Sequence, residues 1–174
     1  MKKILYTLLI IHSSLLIVLA QVQQEWARRY PDTNTFNAFA YSLALDDSGN
    51  VYVTGSTSTQ GNLTNGYCTI KYSSSGVQQW VANYYSNNSG GRYAYAIALD
   101  KSSNVFITGY SYENGRYFDY CTIKYNSNGV QQWVQYYDGP IHGDDEAEEI
   151  AVDNAGNVYV SGFSRLVEVM VMFM

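Results

Sequence analysis

The sequence predicts an all-β protein made of tandem, four-stranded antiparallel units. Four short motifs recur in one order, and each copy follows the previous one after 53 or 54 residues. After residue 20, no stretch keeps the 3.6-residue apolar period of an amphipathic helix. Composition agrees, because 18 of the 174 residues are tyrosine, which covers the half-buried surface of a sheet well. Hydrophobic residues make up 47% of the chain, so a packed core is expected rather than disorder.

The first two strands of each unit carry the clearest repeat, with motifs that begin at Tyr41 and Asn50. Asp, Asn, Ser and Gly join the two motifs and suit tight turns, because their side chains bond the local backbone or they tolerate positive φ. One turn departs from the pattern, with Ser103 where its neighbours have Gly49 and Gly156. These motifs predict strands at residues 38–45 and 50–56, 93–99 and 104–110, and 147–152 and 157–163.

The third and fourth strands are each marked by one further motif. The run Tyr-Cys-Thr-Ile-Lys-Tyr begins at Tyr67 and again at Tyr120, and Gly-Val-Gln-Gln-Trp begins at Gly76 and again at Gly129. A four-stranded meander repeated at this period is typical of a β-propeller blade. The corresponding strands are predicted at residues 67–73, 77–85, 120–126 and 130–137.

These motifs resemble the SBBP family, bacterial β-propeller repeats of secreted and surface proteins. The resemblance rests on the two runs above and on Asp-x-x-Gly-Asn-Val-Tyr-Val-x-Gly, and it covers about 2.7 repeats over residues 22–164. It implies a propeller fold and a location outside the cytoplasm. It transfers no catalytic residue to this chain.

Both ends of the repeat region, residues 21–164, are incomplete. The segment Val22–Trp26 matches the fourth-strand motif with one inserted residue, so an outer strand precedes the first complete blade. Fewer than three periods are present, whereas propellers use about 4–8 blades, so this chain is not expected to close a ring alone. We predict an outer strand at 22–30, blade one at 38–85, blade two at 93–137 and a partial blade three at 147–164.

The last ten residues, 165–174, are mostly apolar and do not continue the repeat. The repeat predicts a polar loop and another Tyr-Cys-Thr-Ile-Lys-Tyr strand at this point. A truncated or frameshifted reading frame would explain the change. The alternative is a genuine short protein that associates with itself through its open blade ends.

The first 20 residues have the features of a signal peptide. Lys2 and Lys3 precede an apolar run that is short for a membrane span, and cleavage is predicted after Ala20. An uncleaved N-terminal anchor is the alternative. Losing the two lysines changes the formal charge from −5 to −7, which argues against nucleic acid and anionic membrane surfaces as partners. The mature protein is expected to be secreted, in the periplasm or on the cell surface, without stable membrane insertion.

We call the longer loops between strands the long joins, and we predict that they form the binding face. Strands alternate in direction, so the joins from strand two to three and from strand four to the next blade share one side. Loops on a rigid scaffold often carry function. The partner is expected to be a protein or a glycan. The candidate residues are Asp32, Asn34, Asn62, Asn87, Asn88, Arg92, Glu113, Arg116, Asp138, His142, Asp144 and Asp145.

Metal and catalytic sites are not expected. Asp144, Asp145 and Glu146 are the only weak calcium candidates, because their segment lacks the Asp-x-Asp-x-Asp-Gly spacing and runs into a strand. A glycosidase would need one buried carboxylate with a raised pKa, which the sequence does not mark. His142 is the single histidine of the mature chain and has no nucleophile motif to serve. We therefore predict no cofactor and no enzyme activity.

Two residue types recur at fixed places in the repeat. Cys68 and Cys121 occupy one slot in neighbouring blades, about 10 Å apart if the sheets stack. A disulfide needs Cα atoms within about 7 Å, so buried thiols are predicted. Trp26, Trp80 and Trp133 also share a slot, which favours packing between blades over sugar stacking.

Taken together, the sequence predicts a secreted or surface interaction module without catalysis. A structural or non-functional fragment of a longer propeller is the alternative. An enzyme fragment acting on glycosides is a remote third.

Overall fold

The computed structural model describes residues 23–30, 35–59, 62–85, 90–112, 117–165 and 167–173, and within them it contains strands but no helix. No helix in these residues is long and apolar enough to cross a membrane. The predicted signal peptide and Val22 lie outside the described residues. The prediction of an all-β protein with antiparallel four-stranded sheets is confirmed.

The strands form three separate sheets, each of which follows chain order. A strand occupies each of the ten positions predicted within the blades, and β1 and β3 begin earlier than predicted, whereas the outer strand predicted at 22–30 is not formed by residues 23–30. Sheet I contains β1 (Thr35–Leu45), β2 (Val51–Thr59), β3 (Asn62–Tyr72) and β4 (Gln78–Tyr84). Sheet II contains β5 (Arg92–Leu99), β6 (Val105–Ser111), β7 (Asp119–Tyr125) and β8 (Gln131–Tyr137). Sheet III contains β9 (Asp145–Val152), β10 (Val158–Ser164) and β11 (Val167–Phe173).

Strand β11 corrects the prediction that the third unit stops at residue 164. It pairs antiparallel with β10, and its partner for Gly162 is Met170. The equivalent glycine of sheet II, Gly109, pairs with Cys121 in the same way. An extended segment can satisfy the backbone groups of a free strand edge whatever its side chains are. The tail therefore takes the place of a third strand without its motif.

The sheets stack through their first strands. Strand β5 contacts β1, β2 and β3, while β9 contacts β5, β6 and β7. Removing these apolar faces from water stabilises each junction by roughly 25 cal/mol per Å² buried. The junction between sheets I and II buries Tyr52, Tyr67, Ala94, Ile97, Val105, Ile107, Cys121, Ile123 and Tyr125. The junction between sheets II and III buries Ala96, Phe106, Tyr120, Ala147, Ile150, Val158 and Val160.

The tryptophans pack one unit onto the next, as predicted. Trp80 packs against the core between sheets I and II, and its Nε1 donates to the Ser127 carbonyl at 3.1 Å. Trp26 repeats this contact one unit earlier, with its Nε1 donating to the Ser74 carbonyl at 3.0 Å. Residues 23–30 thus make the contact expected of a fourth strand, although they form no strand pairing in the structure. Trp133 packs against the core between sheets II and III.

The tight turns between first and second strands share one hydrogen-bond pattern. Asp46 Oδ1 accepts from the backbone N–H of Ser48 and Asn50, at 3.0 and 2.9 Å. Asp100 and Asp153 make the same bonds in sheets II and III. These bonds replace ladder bonds at the reversal, which explains why each turn begins with aspartate.

Candidate functional site

Three strand ends meet at the long-join side of sheets II and III. Tyr120 of β7 pairs with Tyr137 of β8, which brings the next residues, Asp119 and Asp138, opposite each other. The N–H of Asp145, at the start of β9, donates to the Phe118 carbonyl at 2.7 Å. These contacts place three aspartates together, and we call them the rim cluster: Asp119, Asp138 and Asp145.

The rim cluster concentrates negative charge in a largely buried place. One carboxylate oxygen from each residue lies within 4.8 Å of the other two. Asp119 and Asp145 are 6% and 1% exposed, while Asp138 is open to solvent. Like charges at this distance repel strongly where water is excluded. The arrangement therefore requires a compensating positive charge or a proton.

Hydrogen bonds fix two of the three carboxylates. Asp145 Oδ2 accepts from the Gly139 N–H at 2.6 Å, whereas its Oδ1 is buried and has no hydrogen-bond partner among the described residues. Asp138 Oδ2 lies 2.6 Å from His142 Nδ1, and His142 itself is exposed. The backbone of His142 has φ 53°, a left-handed conformation that few residues other than glycine adopt.

The environment shifts the titration of the cluster. Burial, and then the nearby Asp138 and Asp145 carboxylates, raise the pKa of the Asp119 carboxyl to about 6, although His142 opposes the rise. Burial also raises the pKa of Glu146, with Asp144 and Glu148 adding to the effect. A buried carboxyl with a raised pKa is the feature that the sequence alone did not mark.

The structure divides the predicted calcium candidates. Asp145 belongs to the rim cluster, but Asp144 and Glu146 do not. Asp144 Oδ1 accepts instead from the Phe118 N–H at 3.2 Å. Successive residues of a strand point to opposite faces, so Glu146 is directed away from its neighbour. The candidate donor set is therefore revised to Asp119, Asp138 and Asp145.

Among the predicted binding-face residues, Arg92 and Asn62 need correction. Arg92 is 3% exposed, and its Nε donates to Ser111 Oγ at 3.1 Å. Its guanidinium lies 4.6 Å from the centre of the Tyr84 ring, because the first residue of β5 is already inside the junction with sheet I. Asn62 begins β3 and pairs with Thr59, so it is part of a strand and not of a loop.

Asp138, His142 and Asp144 lie in the loop between β8 and β9. The remaining predicted residues fall outside the described part of the chain: Asp32, Asn34, Asn87, Asn88, Glu113 and Arg116.

The sequence of these repeated strands can be compared with known protein families. Residues 34–63 match the family model of the SBBP β-propeller repeat. The SBBP match spans β1 and β2 and thus confirms the resemblance there. Sheets II and III repeat the pairing of these SBBP strands, including the glycine of the second strand at Gly109 and Gly162. No curated protein matches the chain.

Sequence reasoning missed Asp119, although a signal was present. Aligned by the repeat, Asp119 and Asp138 stand where sheet I has Gly66 and Tyr85. Neither position belongs to a recurring motif, and both become acidic in one unit only. Comparing the units for positions that change charge would have identified them.

Proposed function

We propose that this chain is a secreted β-propeller module that binds a protein or a glycan through its long-join side and catalyses no reaction. One observation carries the proposal. Recurring side chains are committed to packing between sheets, whereas the rim residues differ from one sheet to the next. A constant scaffold with a varied rim is the usual arrangement of a binding module.

The proposal includes a β-propeller architecture. In support of it, each sheet is an antiparallel meander, and the first strands of sheets II and III lie against the sheet before them. The SBBP match at residues 34–63 supports it as well. We interpret sheets I, II and III as successive blades of a ring that the described strands do not close. The signal-peptide features of residues 1–20 support export of the mature chain.

A glycan array tests the binding proposal directly. We expect the mature chain to bind a defined subset of glycans, and the double variant Asp138→Asn/His142→Ala to lose that binding. Gln78→Ala is the matched control, because Gln78 is exposed away from the rim. Photo-crosslinking from position 142, with position 78 as control, tests the protein alternative. If neither experiment finds a ligand whose binding depends on these positions, the proposal is contradicted.

A second candidate function is to form one part of a larger propeller ring. It is favoured by the face of sheet I that no other described sheet covers, which we call the open face. Leu43 is 64% exposed, whereas the equivalent residues Ile97 and Ile150 are each 9% exposed under a preceding sheet. Leu45 and Phe39 of the same strand are exposed too. Apolar surface of this kind is normally covered by a partner.

The open face also contains a groove of about 250 Å³, which Trp26, Phe39, Gly55 and Cys68 help to line. At the equivalent place on sheet II, the Tyr67 hydroxyl fills the space beside Gly109 and donates to the Cys121 carbonyl at 3.1 Å. The groove therefore fits a tyrosine from the third strand of another SBBP-type sheet. Such a sheet is the occupant that we propose.

Size-exclusion chromatography with light scattering separates the two functions. If the open face seeks another sheet, the mature chain should self-associate, and Leu43→Lys should shift it to monomer. Val77→Lys is the control, because Val77 is similarly exposed but lies in a turn. If the wild-type protein is a monomer, the ring function is contradicted, whereas the proposal of a binding module is unaffected.

A further inference from the structure

The rim cluster has more negative charge than the described residues around it neutralise. The single ion pair to the cluster within the described residues joins Asp138 to His142 at 2.6 Å, and histidine is charged only when protonated. Burying several carboxylates without a cation is costly, so ligands or protons normally compensate them.

Asp145 gives an independent indication of a ligand. The residue is 1% exposed, yet its Oδ1 has no hydrogen-bond partner among the described residues. An orphaned, buried carboxylate oxygen costs free energy unless something binds it. Asp145 contributes one of the three carboxylates whose oxygens lie within 4.8 Å of one another, so a cation held by the cluster would lie beside this carboxylate.

Gly139 keeps the space beside this carboxylate free. A Cβ at residue 139 would lie 2.8 and 2.9 Å from the two Asp145 oxygens and 2.9 Å from Ser164 Oγ. Any side chain at this position would therefore fill the space that the oxygens face. The hydroxyl of Ser164 adds one more oxygen to those near the site.

We propose that Asp119, Asp138 and Asp145 bind a calcium ion. Carboxylate oxygens are hard donors, and calcium accepts six to eight oxygens in flexible geometry, with water or carbonyl groups completing the shell. Magnesium requires near-ideal octahedral geometry, which three carboxylates on three different strand ends do not enforce. His142 is a positioning residue, since its Nδ1 holds the carboxylate of Asp138.

Calcium at this place would join sheets II and III. The three ligands come from the ends of β7, β8 and β9, so one ion ties both sheets and the 138–145 join together. This join carries the exposed rim residues of the binding proposal. The ion would therefore order the long-join side and not take part in chemistry.

Isothermal titration of the mature chain with calcium chloride alone tests the site. We expect a single site with a Kd of about 0.1–1 mM, the range of extracellular calcium modules. Adding 10 mM calcium should then raise Tm by about 3–10 °C relative to EDTA, and magnesium at equal ionic strength should do less. Asp138→Asn, at an exposed position, should weaken calcium binding about tenfold or more.

Glu149→Gln is the matched control, because it removes one exposed carboxylate from β9 without touching the cluster. It should bind calcium as the wild type does. Absence of calcium binding in the wild type would overturn the proposal, as would equal weakening in both variants. A Tm that is higher at pH 5 than at pH 8 and unaffected by calcium would show that protons neutralise the cluster instead. Because calcium alone is titrated, failure here is distinct from failure to find a rim partner.

Discussion

The two junctions between sheets use the same rim position in opposite ways. Between sheets I and II, the first strand begins with Arg92, whose guanidinium lies over the Tyr84 ring. Between sheets II and III, the equivalent residue is Asp145, which meets Asp119 and Asp138. One junction places a cation on an aromatic ring, and the other gathers three carboxylates. The repeat therefore fixes the residues at the centre of each junction, whereas the residues at its rim differ from one junction to the next.

The junctions differ a second time in their buried tyrosines. Tyr67 donates to the Cys121 carbonyl across the first junction. Tyr120, its equivalent in the second junction, is 1% exposed and has no hydrogen-bond partner for its hydroxyl among the described residues. The third strand opposite Tyr120 is β11, which lacks the motif that supplies Cys121. The two junctions therefore share the buried tyrosine but differ in whether its hydroxyl is hydrogen-bonded.

Gly109→Ala should have the largest effect, because it disturbs both the β5–β6 pairing of sheet II and the first junction. An added Cβ would overlap the Tyr93 carbonyl and lie 2.9 Å from the Tyr67 hydroxyl. We expect a loss of about 3 kcal/mol or more in the free energy of unfolding, because backbone must move. Urea denaturation measures it. Gly156→Ala is the comparison, since no atom lies within 4 Å there and only its positive φ opposes the change. Equal losses would contradict the packing explanation.

Arg92→Ala tests how much the rim of the first junction contributes to stability. The change removes the contact with the Tyr84 ring and the bond to Ser111, so we expect a loss of about 2–3 kcal/mol. Lys101→Ala, in an exposed turn, should change stability by less than about 0.5 kcal/mol. Thermal unfolding of both variants measures the difference. A neutral Arg92→Ala would mean that this rim contributes nothing to the junction.

Removing one hydroxyl from each junction tests the tyrosine comparison. Tyr67→Phe should lower the free energy of unfolding by about 1 kcal/mol, because a buried hydrogen bond is lost. Tyr120→Phe should be neutral or stabilising, because its hydroxyl is buried without a partner in the described chain. Chemical denaturation of the two variants side by side gives the answer. Equal losses would show that the junctions are equivalent here, and the opposite ranking would contradict the comparison.

Ser103→Gly should make the turn of sheet II like those of its neighbours. Ser103 has φ 57°, whereas Gly49 and Gly156 have φ 74° and 87° in the same place. Relieving the left-handed strain outweighs the greater entropy of unfolded glycine, so we expect a gain of about 0.5 kcal/mol. Gly49→Ser is the reciprocal variant and should lose stability. Differential scanning calorimetry can resolve both.

The smallest expected effect is a pH dependence of the third turn. Hydrogen bonds from the side chain and backbone of Asn157, together with one from the Ala155 N–H, hold the pKa of Asp153 below its usual value despite some desolvation. Because the pKa is lowered on folding, the stabilisation is present above the unfolded pKa and is lost as pH falls through the folded pKa. Asp153→Asn should flatten the fall in stability below about pH 4. Identical acid profiles for variant and wild type would show that this carboxylate contributes nothing.

Most of the fold could be predicted because the repeat is explicit. Motifs such as Tyr67–Tyr72 combine strand-forming residues with turns that Asp46 and its equivalents close. Local hydrogen bonding and alternation act over a few residues, so they can be read along the chain. Sequence reasoning also placed Trp80 between units, because a residue that recurs once in each unit has one neighbour to pack on.

The rim could not be predicted in the same way. Asp119, Asp138 and Asp145 are separated by 19 and 7 residues, and no motif links them. Their meeting depends on strand register and on how β9 lies against sheet II. For the same reason, Arg92 was expected in a loop but is buried at a strand end.

The sequence by itself determined the repeat, its strands and its tight turns, because these depend on interactions between residues close along the chain. Only the tertiary structure decided the charge of each rim, the third strand of sheet III and the open face of sheet I. Those features arise where distant segments meet, and their energies depend on burial and distance. Burial and distance are set by stacking of the sheets, which no local pattern specifies.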